Sequence, residues 1–316
     1  MTDTVLYIEA ASGVSGDMLL GAFLDLGVPV ETLNAAWSAL GIDNYEIEIS
    51  EVMKAGLRAL QCRVRTEEQK GPRSWKEYRN VLERSGLNAG LRNNALLLCR
   101  KLFEIEAGLH GSTISRLHLH EIGGSDLLID VIGALAAVDS LRPARIAASP
   151  VNTGRGFVRF SHGILPVPAP ATTKLLEGVP VFQNEVEGEL ATPTGALLLT
   201  HLAQSYGPMP PLTLLRTGAG AGERETPGRP NVLRMFLGTA DAPRESGEDT
   251  WMAETNIDDS NPQVLAYFME KAFEEGALDV FFTPIFMKKN RPGVRLSVLA
   301  ARSSLDTILG LLFAET

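Results

Sequence analysis

Hydrophobic and polar positions along this chain fall into two alternating periods. Residues 5–8 are a short apolar run, small residues follow from 10 to 16, and residues 18–26 are almost wholly apolar before Gly27 and Pro29. That order predicts strand, tight turn and buried helix. Residues 45–49 alternate apolar and acidic positions, and 60–65 repeat the two-residue period, so both read as half-exposed strands. The polar stretch 69–74, with Gly71 and Pro72, reads as a loop, and helical spacing runs through 75–84 and 91–109. Residues 116–121 alternate again and predict a strand, punctuated by Gly123 and Gly124. Ser125 then reads as the cap of a helix over 126–141 that Pro143 ends. Residues 146–181 give short strand pieces among Gly and Pro, and a helix lies within 190–206, begun by Thr192-Pro193-Thr194-Gly195. The Gly- and charge-rich stretch 217–231 reads as a mobile loop, and 232–237 as a strand.

A polar, acidic stretch then divides the chain into a domain over 1–240, a linker over 241–250 and a domain over 251–316. Past the linker the pattern is strand, amphipathic helix, two strands and helix. The fold class is therefore α/β (α+β): a larger N-terminal α/β domain with a small ferredoxin-like βαββα domain that lacks its last strand. A sheet stopped there has an open edge, which predicts pairing with another chain as a homo-oligomer.

Composition narrows the function. The chain has 316 residues, 29 Lys and Arg against 38 Asp and Glu, and a net charge of -9. Such an acidic surface is a poor phosphate-backbone binder, so no nucleic-acid partner is expected. With 2 Cys and no paired spacing, neither a disulfide framework nor a thiolate metal site is supported. No signal peptide or membrane-spanning run is evident, which predicts a cytoplasmic protein with no membrane partner.

Four constellations could carry chemistry. In His118-Leu119-His120-Glu121, two imidazoles would share one face of a strand, and Asp126 and Asp130 share one face of the next helix. Together they suit a divalent metal, with His118, His120 or Asp130 available as base. Asp130 lies among Leu127, Leu128, Ile129, Val131 and Ile132, so its carboxylate should be partly buried and paired or metal-bound. The bland alternative puts the histidines on a surface strand and Asp126 on a helix dipole. The turn Ser12-Gly13-Val14-Ser15-Gly16-Asp17 could cradle an anion at a helix N-terminus, or be an ordinary capped turn. It is neither a nucleophile elbow, because Asp17 replaces the needed Gly, nor a Walker A loop, which would need Lys. Arg155 and His162 flank a proline-stiffened stretch that could wall a cleft also served by Glu189 and Thr192. Finally, Asp258 and Asp259 follow a strand, while Lys288, Lys289 and Arg291 cluster in a loop. Carboxylates for Mg²⁺ or Mn²⁺ beside cations for phosphate suit a nucleoside triphosphate, and a solvated hairpin tip is the plain alternative.

In order, the motifs SGVSGDM from Ser12, HLHEIGGSD from His118, HGILPVPAPAT from His162, TPTG from Thr192, ETNIDD from Glu254 and MKKNRPG from Met287 closely resemble the nickel-insertion proteins of nickel-pincer nucleotide biosynthesis, the LarC type. The resemblance runs from the first strand to the last helix. It implies a cyclometallase, a lyase that inserts Ni²⁺ into pyridinium-3,5-bisthiocarboxylic acid mononucleotide through two Ni–S bonds and one Ni–C bond. It further implies dependence on CTP with Mn²⁺ or Mg²⁺, hydrolysis to CMP and pyrophosphate, and a cofactor destined for lactate racemase. Partners would be the mononucleotide, CTP, and the apo-racemase or other maturation proteins. The resemblance puts His118, His120, Glu121, Asp126 and Asp130 near nickel or its acceptor, with Asp258, Asp259, Lys288, Lys289 and Arg291 near CTP. The acceptor's phosphate is assigned to the Ser12–Asp17 turn. Three departures stand out: Glu9 replaces the usual Asp, no His-rich tract is present among only 5 His, and relatives continue beyond Thr316. A truncated CTP site would leave the chain inactive alone. Two other readings remain, a metal-dependent hydrolase using the His118/His120/Asp126/Asp130 cluster and a non-enzymatic nickel carrier.

Overall fold

The computed structural model describes residues 4–43, 45–66, 71–119, 124–160, 163–225, 228–240 and 250–316. The chain forms two compact units, residues 1–241 and 242–316. The mixed α/β character expected from the periodicities holds in both.

The large unit is built on a seven-stranded sheet. Within it, the buried strand Thr4–Glu9 pairs antiparallel with Val232–Ala240 and parallel with Arg145–Ala148. Beyond Val232–Ala240 lie Leu212–Ala221, Leu57–Thr66 and Tyr45–Lys54, and Ser205–Tyr206 closes the other edge. Leu6 and Ile8 are fully buried and Val5 and Tyr7 nearly so, which explains a continuous apolar run where a half-exposed strand would alternate.

Helix Ser125–Leu141 is the unit's central buried helix. Eleven of its residues, among them Leu127 to Ile129 and Val131 to Ala137, are buried, so it is apolar nearly all round. Gly133 lets Leu20 and Trp37 approach it, and the Trp37 indole N–H donates to the Ile129 carbonyl at 2.9 Å. Its cap is Gly124, at φ 96°, and Ser125 is already helical; the sequence reading placed the cap one residue late.

Helix Gly16–Asp25 lies directly on the sheet. A Cβ on Gly220 would sit 1.9 Å from the Met18 carbonyl oxygen, and one on Gly218 would sit 2.3 Å from that of Ala22. Backbone therefore meets backbone, a contact only glycine permits. Asp25 pins the far end by accepting from the Ala219 N–H at 2.8 Å and from Arg58.

Two sequence expectations change. Residues 116–119 do not form a sheet strand: they make a single bridge, His118 with Ser74. Leu117 and Leu119 are buried while His118 is exposed, so the alternation is real but belongs to an extended segment lying on the core. The 217–231 stretch is not a free loop either. Residues up to Ala221 are strand, and the nearly buried Lys54 ammonium clips the turn beyond by pairing with Glu225 and donating to the Glu223 carbonyl. Burying a cation is tolerable only with such partners.

The small unit is an antiparallel sheet in the order Thr250–Ile257, Pro292–Ala301, Ala277–Phe286, with helices Pro262–Glu274 and Arg302–Glu315. Ile257, Phe268, Val280, Leu296, Val298, Ala300 and Ile308 form its separate core. This is the strand order of a split βαβ unit.

Replacing Gly220 by Ala should force the Gly16–Asp25 helix off the sheet. We expect a loss of about 1–3 kcal/mol, the usual cost of overpacking, read as a lower melting temperature. An unchanged melt would refute the close backbone contact.

Candidate functional site

Three helix N-termini meet at one cavity of about 470 Å³. Ser15, Gly16 and Asp17 open helix Gly16–Asp25, Asp126 and Asp130 lie in the first turns of Ser125–Leu141, and Thr192, Pro193 and Thr194 open Pro193–Leu202. Two hydrogen bonds hold the first and third side by side. The Val14 N–H donates to the Leu190 carbonyl, and the Thr192 N–H donates to the Val14 carbonyl, both at 2.9 Å. Gly13, at φ 93°, and Gly195 make this possible, because a Cβ on either would lie about 2 Å from the opposite backbone. The Thr192 hydroxyl caps its own helix through the Gly195 N–H at 3.2 Å. Strand and loop residues complete the wall: Arg63, Glu189, Gly222, Glu223, Arg224 and Asn231.

The floor is acidic. A Cβ on Gly16 would fall 1.9 Å from an Asp130 carboxylate oxygen, so that carboxylate presses against the helix backbone itself. Burial and the neighbouring charges of Asp17 and Asp126 raise the Asp130 pKa well above the carboxylate range. Burial also raises Asp17, whose carboxylate accepts from the Ser15 hydroxyl and from backbone N–H groups at the helix start. The positive ends of three helices face these charges and make their crowding bearable. Among the described residues no three His, Cys, Asp or Glu side chains are close enough to form a ready-made metal site. The floor is an open, oxygen-rich face that needs donors from elsewhere to close around a cation.

Glu189 stands on a different wall element, in the short pairing of Gly188–Glu189 with Gly154–Arg155. Desolvation lifts its pKa to about 7, against bonds from the Thr172 hydroxyl, at 3.5 Å, and the Ala169 backbone. The Arg224 guanidinium reaches back to the Glu187 carbonyl, and Arg63 pairs with Glu223 at 3.2 Å, so both cations are anchored at the rim.

The structure thus brings together Ser15, Gly16, Asp17, Asp126 and Asp130 from the expected set. Ser12 and Gly13 sit behind the cavity wall: the Ser12 hydroxyl donates to the Pro230 carbonyl at 3.0 Å, and Gly13 packs on Leu190. Because Asp17 already occupies the helix N-terminus, that turn is not the free anion cradle the sequence suggested. His118 and Arg155 do not line the cavity. The His118 ring lies 3.2 Å from the Arg116 carbonyl, and Arg155 is exposed. His120, Glu121 and His162 lie outside the described residues. Arg63, Glu223, Arg224 and Asn231 were missed, since alternation and charge alone mark them as ordinary surface; the one available signal was the sequence Gly222-Glu223-Arg224, small and charged after a strand.

In the small unit, strand Thr250–Ile257 ends beside the turn Lys288–Asn290. Asp258 and Arg291 come together, Nη1 to Oδ2 at 3.5 Å, and the Met287 N–H donates to the Arg291 carbonyl at 2.8 Å to close the turn. The Asp258 side chain is mostly shielded, at 17% exposure, while Lys288 and Lys289 are exposed on the turn. Oxygen donors next to cations fit a divalent ion carrying a polyphosphate. No described helix is long and apolar enough to cross a membrane.

Comparison with known proteins places the chain in a family. The family described as nickel insertion protein matches residues 6–316. A protein of Desulfitobacterium hafniense named pyridinium-3,5-bisthiocarboxylic acid mononucleotide nickel insertion protein is 39% identical over 316 residues, spanning 98% of this chain and 78% of its own length. A protein of Pelobacter propionicus with a provisional nickel-insertion name is 41% identical over 314 residues, 99% of this chain and 80% of the relative. Among solved structures, the apo C-terminal domain LarC2 of a cyclometallase involved in synthesis of the NPN cofactor of lactate racemase is 43% identical, with a TM-score of 0.21, over 21% of this chain and 46% of that one.

The raised Glu189 pKa has a signed consequence. A carboxyl group that titrates near 7 folded and near 4.5 unfolded withdraws stability as pH rises through that window. Glu189→Gln removes the penalty, so its melting temperature should gain a few degrees on the parent at pH 8 and little at pH 4. An equal difference at both pH values would show that the carboxyl is not desolvated.

Proposed function

The chain belongs to the nickel insertion protein family, and from that premise we propose that it inserts Ni²⁺ into pyridinium-3,5-bisthiocarboxylic acid mononucleotide within the large unit's cavity. The observation that carries this reading is the Asp130 carboxylate, pressed on Gly16 beside Asp17 and Asp126 at three helix N-termini. A cavity of about 470 Å³ is of the size that takes a small ligand. Nickel is the substrate here. Carboxylate oxygens hold it exchangeably, and the acceptor's two sulfurs supply the softer donors that draw it away. His120 and Glu121 remain proposed contributors from the segment before Asp126. The acceptor is anionic, and Arg63 and Arg224 suit its phosphate better than the turn that Asp17 fills.

In the same reading the reaction is a cyclometallation of the lyase class, consuming CTP. The small unit would take that nucleotide. Asp258 and Asp259 would hold its Mn²⁺ or Mg²⁺, and Lys288, Lys289 and Arg291 its phosphates. The ion would supply charge neutralisation during phosphoryl chemistry. The product would serve lactate racemase or a related enzyme, in the cytoplasm.

Incubation of the chain with the mononucleotide, Ni²⁺, CTP and Mn²⁺ should yield the nickelated mass. Asp130→Asn should cut Ni²⁺ affinity at least tenfold, measured by equilibrium dialysis, and Arg291→Ala should raise the CTP concentration needed by a similar factor. Unaltered nickel binding in Asp130→Asn would remove the cavity floor from the reaction.

A further inference from the structure

The carboxyl groups of the cavity divide into two kinds. Asp17, Asp126 and Asp130 belong together: Asp130 feels the charge of both others. Glu189 lines the same space, and burial is what raises its pKa. It is carried by a separate wall element. Its carboxyl is tied from behind to the fully buried Thr172 hydroxyl and to the backbone of Ala169 at the start of helix Pro170–Leu175. A carboxylate set apart from a cation-binding group, yet facing the same ligand, remains available for a proton while the others are engaged.

Resting on the nickel-insertion reading, we propose that Glu189 is the catalytic base of the reaction, accepting the proton released from the pyridinium carbon as that carbon bonds to nickel. The step balances without an oxidant. The C–H bond breaks, its electron pair becomes the Ni–C bond, nickel stays divalent and the proton ends on the Glu189 carboxylate. Asp130 is unsuited to this task, because it would be holding the metal at that moment. The desolvation that lifts Glu189 to about 7 matches it to the work, since a base is most useful when its pKa lies near the working pH. Thr172 is then a positioning residue that fixes the direction of the carboxylate.

The test compares the parent with Glu189→Gln and Glu189→Asp in full assays with the mononucleotide, Ni²⁺, CTP and Mn²⁺. Product is followed by mass, and ligand binding separately by calorimetry. Glutamine should lower the insertion rate by about 10²- to 10⁴-fold, the span of general base catalysis, with a melting temperature no lower than the parent's and mononucleotide binding retained. Aspartate should recover part of the rate. The parent's rate should rise with pH through about 7, a limb the glutamine variant lacks, and deuterium on the reacting carbon should slow the parent. If Glu189→Gln makes product within a factor of ten of the parent, Glu189 is not the base and only this proposal falls. If glutamine loses mononucleotide binding while bound complexes turn over at the parental rate, Glu189 is a binding residue and the proposal is again overturned. A parent that yields no nickelated product overturns the insertion reading itself.

Discussion

The large unit is arranged around one electrostatic cost, a cluster of carboxylates at the start of three helices. Crowded carboxylates in a half-dry cavity resist ionisation, and Asp17 and Asp130 show it in their raised pKa values. Helix dipoles offset part of that cost without neutralising it. Everything nearby serves the convergence. The Val14–Leu190 and Thr192–Val14 hydrogen bonds stitch two helix starts together. Gly13 and Gly195 remove the side chains that would hold them apart, and the buried helix Ser125–Leu141 delivers the third start from below. A neutral cavity could be built more cheaply, so the retained acidity points to a cationic guest.

Much of this was legible in the order of residues. Small residues between an apolar run and an apolar helix announced the first turn. The 3.6-residue spacing put Asp126 and Asp130 on one face, and the apolar neighbours of Asp130 marked it as buried. The split pattern of the small unit followed from clean periodicity, with Leu296, Val298 and Ala300 on one face of their strand as alternation requires. What stayed hidden depended on long-range contact. Alternation in residues 116–119 was read as a sheet strand, but period alone does not say what an extended segment lies against. The buried side turned out to be Leu117 and Leu119, leaving His118 outside. The wall residues Arg63, Glu223 and Arg224 come from a hairpin and a turn joined by long-range contacts, Lys54 to Glu225 and Arg63 to Glu223 among them.

The two units suit different halves of one chemistry. The large one offers hard oxygen donors, a separate proton acceptor and anchored cations, which suit a metal ion and an anionic acceptor. The small one offers a shielded carboxylate facing a basic turn, which suits a metal-bound polyphosphate. Neither unit supplies thiolates to its site: Cys62 and Cys99 are both buried, and burial pushes each thiol up to about 12. In the proposed reaction, soft sulfur chemistry would be left to the acceptor, which would draw nickel away from the protein's oxygen donors.

The backbone-on-backbone seat of helix Gly16–Asp25 carries one more consequence. Side-chain contacts have rotamers, and a core packed through them can drift by tenths of an ångström as those rotamers exchange. A carbonyl resting on a glycine Cα, as Met18 and Ala22 rest on Gly220 and Gly218, has no such freedom. The helix is registered to the sheet with the stiffness of the polypeptide itself. The backbone position of Asp17, at the start of that helix, is therefore inherited from the sheet's own geometry.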